Sequence, residues 1–204
     1  MRTIRLFAVV VSLSVLTFFA SGDRGVAAAG SNISGTVKAA GLSSNADAVV
    51  YLQEAPAGKP PGAVTMDQKK MQFMPHVLPV MAGTTVKFQN SDPTPHNVFS
   101  PDYEKYNLGT WPEGQSKEYV FSKCTKFPCA YTQLCRVHPE MEGFVVVLAN
   151  SYFAVSDREG HFEIRDVPPG KYMVAVWHPK LKAQPKPVTV EAGQNATVDF
   201  ALAR

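Results

Sequence analysis

From residue 31 onward, apolar residues recur with a period of two or in short unbroken runs, and Gly and Pro interrupt them often. A period of two sends alternate side chains to opposite faces of an extended strand, and short unbroken runs suit strands covered on both faces. No window carries a 3.6-residue apolar stripe, so the pattern predicts an essentially all-β protein. Strands are predicted over 33–37, 48–52, 71–74, 77–81, 84–89, 96–100, 117–121, 131–135 and 144–148. Between them lie a turn-rich stretch at 40–47, a Pro/Gly linker at 54–63 and a short helical turn over 101–106. The alternation resumes over 152–164 and 167–177, with turns at Glu159-Gly160 and at Pro168-Pro169-Gly170.

One stretch breaks the pattern. After the basic start Met1–Arg5, Leu6–Ala20 is an apolar run of 15 residues. That is short for a bilayer span and right for a signal-peptide core, with Ala27-Ala28-Ala29 as a small-x-small cleavage site. An uncleaved anchor is the alternative, and Ala20-Ser21-Gly22 a weaker cleavage site. No later segment is apolar enough to cross a membrane, so the reading is a soluble periplasmic or secreted protein without stable membrane insertion. Residues 1–29 hold Arg2, Arg5, Arg24 and Asp23, so the remaining 175 residues carry 17 basic and 16 acidic side chains against 20 and 17 in the whole chain. A net charge of +1 gives no argument for nucleic acid or an anionic surface as partner.

The chemistry concentrates in Cys135-Arg136-Val137-His138-Pro139-Glu140-Met141, with His96 in another predicted strand. A thiolate, two imidazoles and a thioether are the donor set of a type 1 copper centre, three in a plane and the thioether weak and axial. On a helix, residues 135, 138 and 141 would spread along the axis, too far apart to share one ion. Pro139 also disfavours the helical region for His138. The segment is therefore placed in a loop between strands. A C-x-x-H pair alone arises readily by chance. A thiol enzyme with Cys135 as nucleophile and His138 as base is the other reading, but it leaves His96 and Met141 without a role.

Upstream, Gly83-Thr84-Thr85-Val86-Lys87-Phe88-Gln89-Asn90-Ser91-Asp92 leads into Pro95-His96-Asn97-Val98. This resembles the cupredoxins, the plastocyanin and amicyanin family, in which such a strand precedes a ligand His followed by Asn-Val. The C-x-x-H-x-x-M spacing is similar to the short ligand loop of amicyanin and pseudoazurin. The resemblance implies a Greek-key β-sandwich and one copper ion, Cu(I)/Cu(II), held by His96, Cys135, His138 and Met141. It further implies no catalysis, an apolar docking surface of Pro93, Pro95, Val137, Pro139 and Met141 near the His138 edge, and redox proteins as partners.

The tail, with Asp157-Arg158-Glu159-Gly160-His161-Phe162 and then Pro168-Pro169-Gly170-Lys171-Tyr172, resembles the carboxypeptidase regulatory-like (transthyretin-like) β-sandwich. That family opens with a Gly-x-Val strand and a Val-Val-Tyr-Leu strand, and both lie within 34–52. The expected division is a signal peptide at 1–29, the first strands of the smaller sandwich at 30–55, a copper domain at 56–149 inserted between them, and the rest of that sandwich at 150–204. Inserted domains enter at exposed loops. The competing arrangement has the N-terminal strands extending the copper-domain sheet. The smaller sandwich would dock a protein or a glycan.

With Cys135 assigned to copper, Cys124 and Cys129 remain as a pair in an exported chain, which predicts a disulfide; a second soft-metal site is the alternative. His76 is either a further ligand or a packing residue. Met66, Met71, Met74 and Met81 are either gap fillers or thioethers that handle Cu(I). His161 and His178 read as surface or structural. Asn32-Ile33-Ser34 and Asn195-Ala196-Thr197 match the glycosylation pattern, which matters only in a eukaryotic secretory pathway. Two function classes stand side by side: an exported one-electron carrier, and a copper module for trafficking or sensing. A copper site resembling nitrosocyanin, with an open position, is a third.

Overall fold

The computed structural model describes residues 30–204; the expected signal peptide at 1–29 lies outside the described residues. Among the described residues there is no helix. The chain opens with β1 (Ser31–Ala39) and β2 (Val49–Leu52). The middle holds β3 (Ala63–Gln68), β4 (Phe73–Met74), β5 (Val77–Met81), β6 (Thr84–Asn90), β7 (His96–Phe99), β8 (Asn107–Trp111), β9 (Ser116–Phe121), β10 (Cys129–Leu134) and β11 (Glu142–Leu148). The last third holds β12 (Phe153–Val155), β13 (His161–Val167), β14 (Gly170–Trp177), β15 (Lys186–Val190), β16 (Ala196–Thr197) and β17 (Phe200–Leu202).

Four sheets result. β1 is flanked by β13 and β16, with β17 also on it; β2 sits inside the order β12-β2-β14-β15. The other two sheets are β5-β11-β10-β7-β8 and β4-β3-β6-β9. β1 and β2 therefore pair with strands of the last third and with none of β3–β11. The β5–β11 and β3–β6 pairs are parallel, as a chain that crosses between two sheets requires.

The sheets stack face to face, and three apolar layers fill the gaps. Alternation decides which layer each residue enters. In β11, Val145 and Val147 face the copper-domain core, while Val146 and Leu148 face the other way, onto β2 and β14. In β2, Val50 and Leu52 enter the core of the smaller sandwich, and Val49 and Tyr51 meet Val146, Leu148 and Val77. Strands covered on both faces account for the unbroken runs Val49-Val50-Tyr51-Leu52 and Val145-Val146-Val147-Leu148, all buried.

Three expectations need correction. Residues 63–68, placed at the end of a linker or between predicted strands, form β3, which is parallel to β6. Residues 101–106 form a turn with left-handed Tyr103 (φ 47°) and Lys105 (φ 47°), and no helix. Met71 belongs to the β3–β4 turn and only Phe73-Met74 is strand.

That turn also hides β3 and β4 from the sequence. Lys69 and Gln72 exchange backbone hydrogen bonds at 3.0 and 3.2 Å, leaving Lys70 (φ 56°) and Met71 (φ 54°) as the two central residues. A two-residue hairpin with both central residues left-handed favours Asn-Gly, and Lys-Met gives no such signal. The Asp92 carboxylate compensates by accepting the amides of both residues, Lys70 at 2.6 Å and Met71 at 2.8 Å.

Candidate metal centre

His96 opens β7, and Cys135, His138 and Met141 lie in the loop from β10 to β11. The loop is irregular, closed by a hydrogen bond from the Met141 amide to the His138 carbonyl at 3.0 Å. The structure brings Cys135 Sγ, His96 and His138 together, with one donor atom of each within 4.8 Å of the others. The thiol sulfur lies 3.9 Å from His96 Nδ1 and 3.9 Å from His138 Nδ1, and the two nitrogens are 2.9 Å apart. The point equidistant from such corners is about 2.1 Å from each, close to the length of a first-row metal–imidazole bond.

The donor chemistry fits the same ion. His96 Nε2 is 2.9 Å from Asp92 Oδ2, so the proton sits on Nε2 and the Nδ1 lone pair is free for a metal. Burial works against the Asp92 charge, but the amides of Met71 and Lys70 and the His96 imidazole outweigh it and hold this carboxyl below the ordinary carboxylate range. Two nitrogens facing each other at 2.9 Å repel unless a cation or proton lies between them. The Asn97 amide donates to Cys135 Sγ at 3.4 Å, a contact that stabilises a thiolate. The Asn97 side chain ties the ligand loop to β8 by donating to Asn107 Oδ1 and the Gly109 carbonyl.

His96 and Met141 are fully buried, Cys135 is 3% exposed, and His138 alone of the four is partly exposed. Met141 shares the core cluster with Cys135. The docking surface expected around His138 needs one correction. Pro93, Pro95, Val137 and Pro139 are exposed there, but Met141 is not part of it, because its side chain points into the core instead of to solvent.

Cys124 and Cys129 form a disulfide, leaving Cys135 as the free cysteine among the described residues. His76 stands outside the three-residue cluster. Its Nδ1 meets Asp47 Oδ2 at 2.8 Å, and that hydrogen bond raises its affinity for a proton despite partial burial. His178 accepts the Lys180 and Leu181 amides on Nδ1, and His161 is exposed beside Asp157. Met66 and Met81 are buried, whereas Met71 and Met74 are 49% and 44% exposed. The role of Asp92 was not read from the sequence. Its signal was an acid four residues before a ligand His, in a segment whose prolines preclude a helix.

Residues 61–148 match the family described as copper binding proteins, plastocyanin/azurin family, and residues 140–203 match the carboxypeptidase regulatory-like domain. Amicyanin-alpha of Methylorubrum extorquens is 34% identical over 105 residues, which cover 50% of this chain and 82% of that protein. A reduced Trp-to-Tyr mutant of amicyanin is 26% identical over 50% of this chain and 98% of its own, with a TM-score of 0.39. A Cu-containing nitrite reductase from Thermus scotoductus is 28% identical over 46% of this chain and 24% of its own, with a TM-score of 0.38.

Proposed function

This chain belongs to the plastocyanin/azurin family of copper-binding proteins, and we propose that it is an exported one-electron carrier holding one copper ion on His96, Cys135, His138 and Met141. The observation that carries the reading is the triangle of Sγ and two Nδ1 atoms, assembled on rigid strand ends with sides of 3.9, 3.9 and 2.9 Å. Copper in such a set supplies a centre that exchanges one electron between Cu(II) and Cu(I).

The chain's own residues hold the geometry. Asp92 fixes the His96 ring, Asn97 anchors the loop, and the buried Met141 occupies the side where a substrate would otherwise approach. A closed donor set on an all-β frame supports electron transfer and not catalysis. His138, partly exposed among Pro93, Pro95, Val137 and Pro139, is the edge by which electrons leave, and the partner is a redox protein with an apolar face. In this reading 30–55 and 150–204 make one sandwich around the copper domain at 56–149; the pairing of β1 with β13 and of β2 with β14 supports that division. Export rests on the N-terminal 29 residues.

The test is optical. The purified chain loaded with Cu(II) is expected to show intense thiolate-to-copper charge transfer in the visible, and Cys135→Ser to lose it while keeping its β-sheet circular dichroism. A colourless Cu(II) complex of the wild type would falsify the carrier reading.

A further inference from the structure

Beside the metal centre lies a cavity of about 350 Å³ that the electron-carrier reading does not use. Its walls include Met71 and Phe73 from the β3–β4 hairpin, His76, and Glu140, Met141 and Glu142 from the ligand loop and its exit. We propose that this cavity is a Cu(I) entry site, in which Met71 and His76 hold the incoming ion transiently before it passes to the buried donors. The proposal rests on the copper reading above and extends it to how the ion arrives.

Three observations carry it. Met71 occupies a left-handed position, φ 54°, where Gly or Asn costs least, and it stays there only because Asp92 accepts its amide. Nearly half of its side chain is exposed, so core packing does not explain why a thioether stands there. Next, His76 Nδ1 donates to Asp47 Oδ2 at 2.8 Å, which in the neutral ring leaves Nε2 with a free lone pair. A carboxylate behind one ring nitrogen is how proteins orient a histidine whose other nitrogen binds metal. Finally, Met141, a donor of the proposed centre, lines the same cavity although it is fully buried.

The donor types select the cargo. A thioether with a neutral imidazole suits soft Cu(I) and suits hard divalent cations poorly. Glu140 and Glu142 add negative charge around the cavity and concentrate cations there. Asp92 also links the port to the centre, since one carboxylate holds both the Met71 turn and His96. No electron moves: the ion exchanges neutral ligands for others and leaves as Cu(I).

The experiment uses the full apo chain. Cu(I) is supplied from a chromophoric chelator complex, and arrival at the centre is read by quenching aliquots with ferricyanide and measuring the blue band. Met71→Gly, which relieves the turn, and His76→Gln are each expected to slow loading about tenfold and to leave the final spectrum and redox potential unchanged. Met74→Leu, an equally exposed thioether outside the cavity, is expected to load at the wild-type rate. Equilibrium titration adds a second readout: a weak second Cu(I) per wild-type chain, absent in Met71→Gly/His76→Gln. Wild-type loading rates in both single variants, or a second Cu(I) that survives the double substitution, would overturn the entry site. A wild-type chain that never turns blue would instead overturn the copper reading on which it rests.

Discussion

At the scale of single residues, Asp92 does the most for the site without being a ligand. One oxygen faces His96 Nε2 at 2.9 Å and the Met71 amide at 2.8 Å; the other takes the Lys70 amide at 2.6 Å. Its own amide donates to Asn90 Oδ1, and Asn90 in turn donates to the Thr94 and Trp111 carbonyls. The carboxylate thus sits at a junction where every neighbour is itself anchored. Asp92→Asn keeps the shape but can present an N–H to a donor, weakening the hold on His96. Copper affinity is expected to fall about 10–100-fold, the usual range for loss of such a partner. Competition with a chelator measures it, and an unchanged affinity would show that Asp92 serves the turn alone.

Among elements, the β3–β4 hairpin shows how strand packing shapes the surroundings of the site. It lies against β11 at Gly143, where a Cβ would come 2.7 Å from Phe73 Cβ. Gly143 has no need of a left-handed conformation, and its role is to let two backbones approach. Gly143→Ala must push Phe73 outward and with it one wall of the cavity next to Met141. An overpacked contact of this kind costs about 1–3 kcal/mol. The denaturation midpoint should drop accordingly while the visible spectrum persists, because the ligand loop begins on the other side of Glu142. No change in midpoint would mean that the hairpin rides freely on β11.

Across the whole molecule, the sheets form one continuous stack and not two beads on a linker. Val49, Tyr51 and Ala175 meet Val77, Val146 and Leu148 in a shared apolar layer, and Phe144 packs on Trp177 with ring centres 5.5 Å apart. At the edge of that layer the His76–Asp47 pair joins the middle of the chain to the β1–β2 connection. The Asp47 hydrogen bond raises the His76 pKa above 6.5, so the stability it adds is complete below about pH 6.5 and disappears as pH rises through the folded value. Both side chains are more than a third exposed, which limits the contribution to about 1 kcal/mol or less. Asp47 is left-handed, φ 69°, a conformation Asn tolerates, so Asp47→Asn removes the charge without straining the turn. The melting temperature of Asp47→Asn is expected to fall below the wild type at pH 5.5 and to converge with it by pH 8.5. A gap that widens with pH would assign the pair the opposite sign.

The sequence by itself determined the all-β class, the strand periodicity and the donor types at 96, 135, 138 and 141, because residue spacing and side-chain chemistry are local properties. Its cysteine count and compartment likewise implied the Cys124–Cys129 bond. What waited for tertiary structure was set by contacts distant in sequence. The β3–β4 turn has no Asn-Gly and holds its shape through Asp92, 21 residues beyond Met71, so no local rule reveals it. Met141 could be read as exposed or axial from its spacing, and only the packing of the β10–β11 loop onto the core buries it. The unbroken runs in β2 and β11 indicated two covered faces. Which sheets cover them depended on β1 and β2 pairing across more than a hundred residues with β12–β17, a choice made by the shared core and not by any one segment.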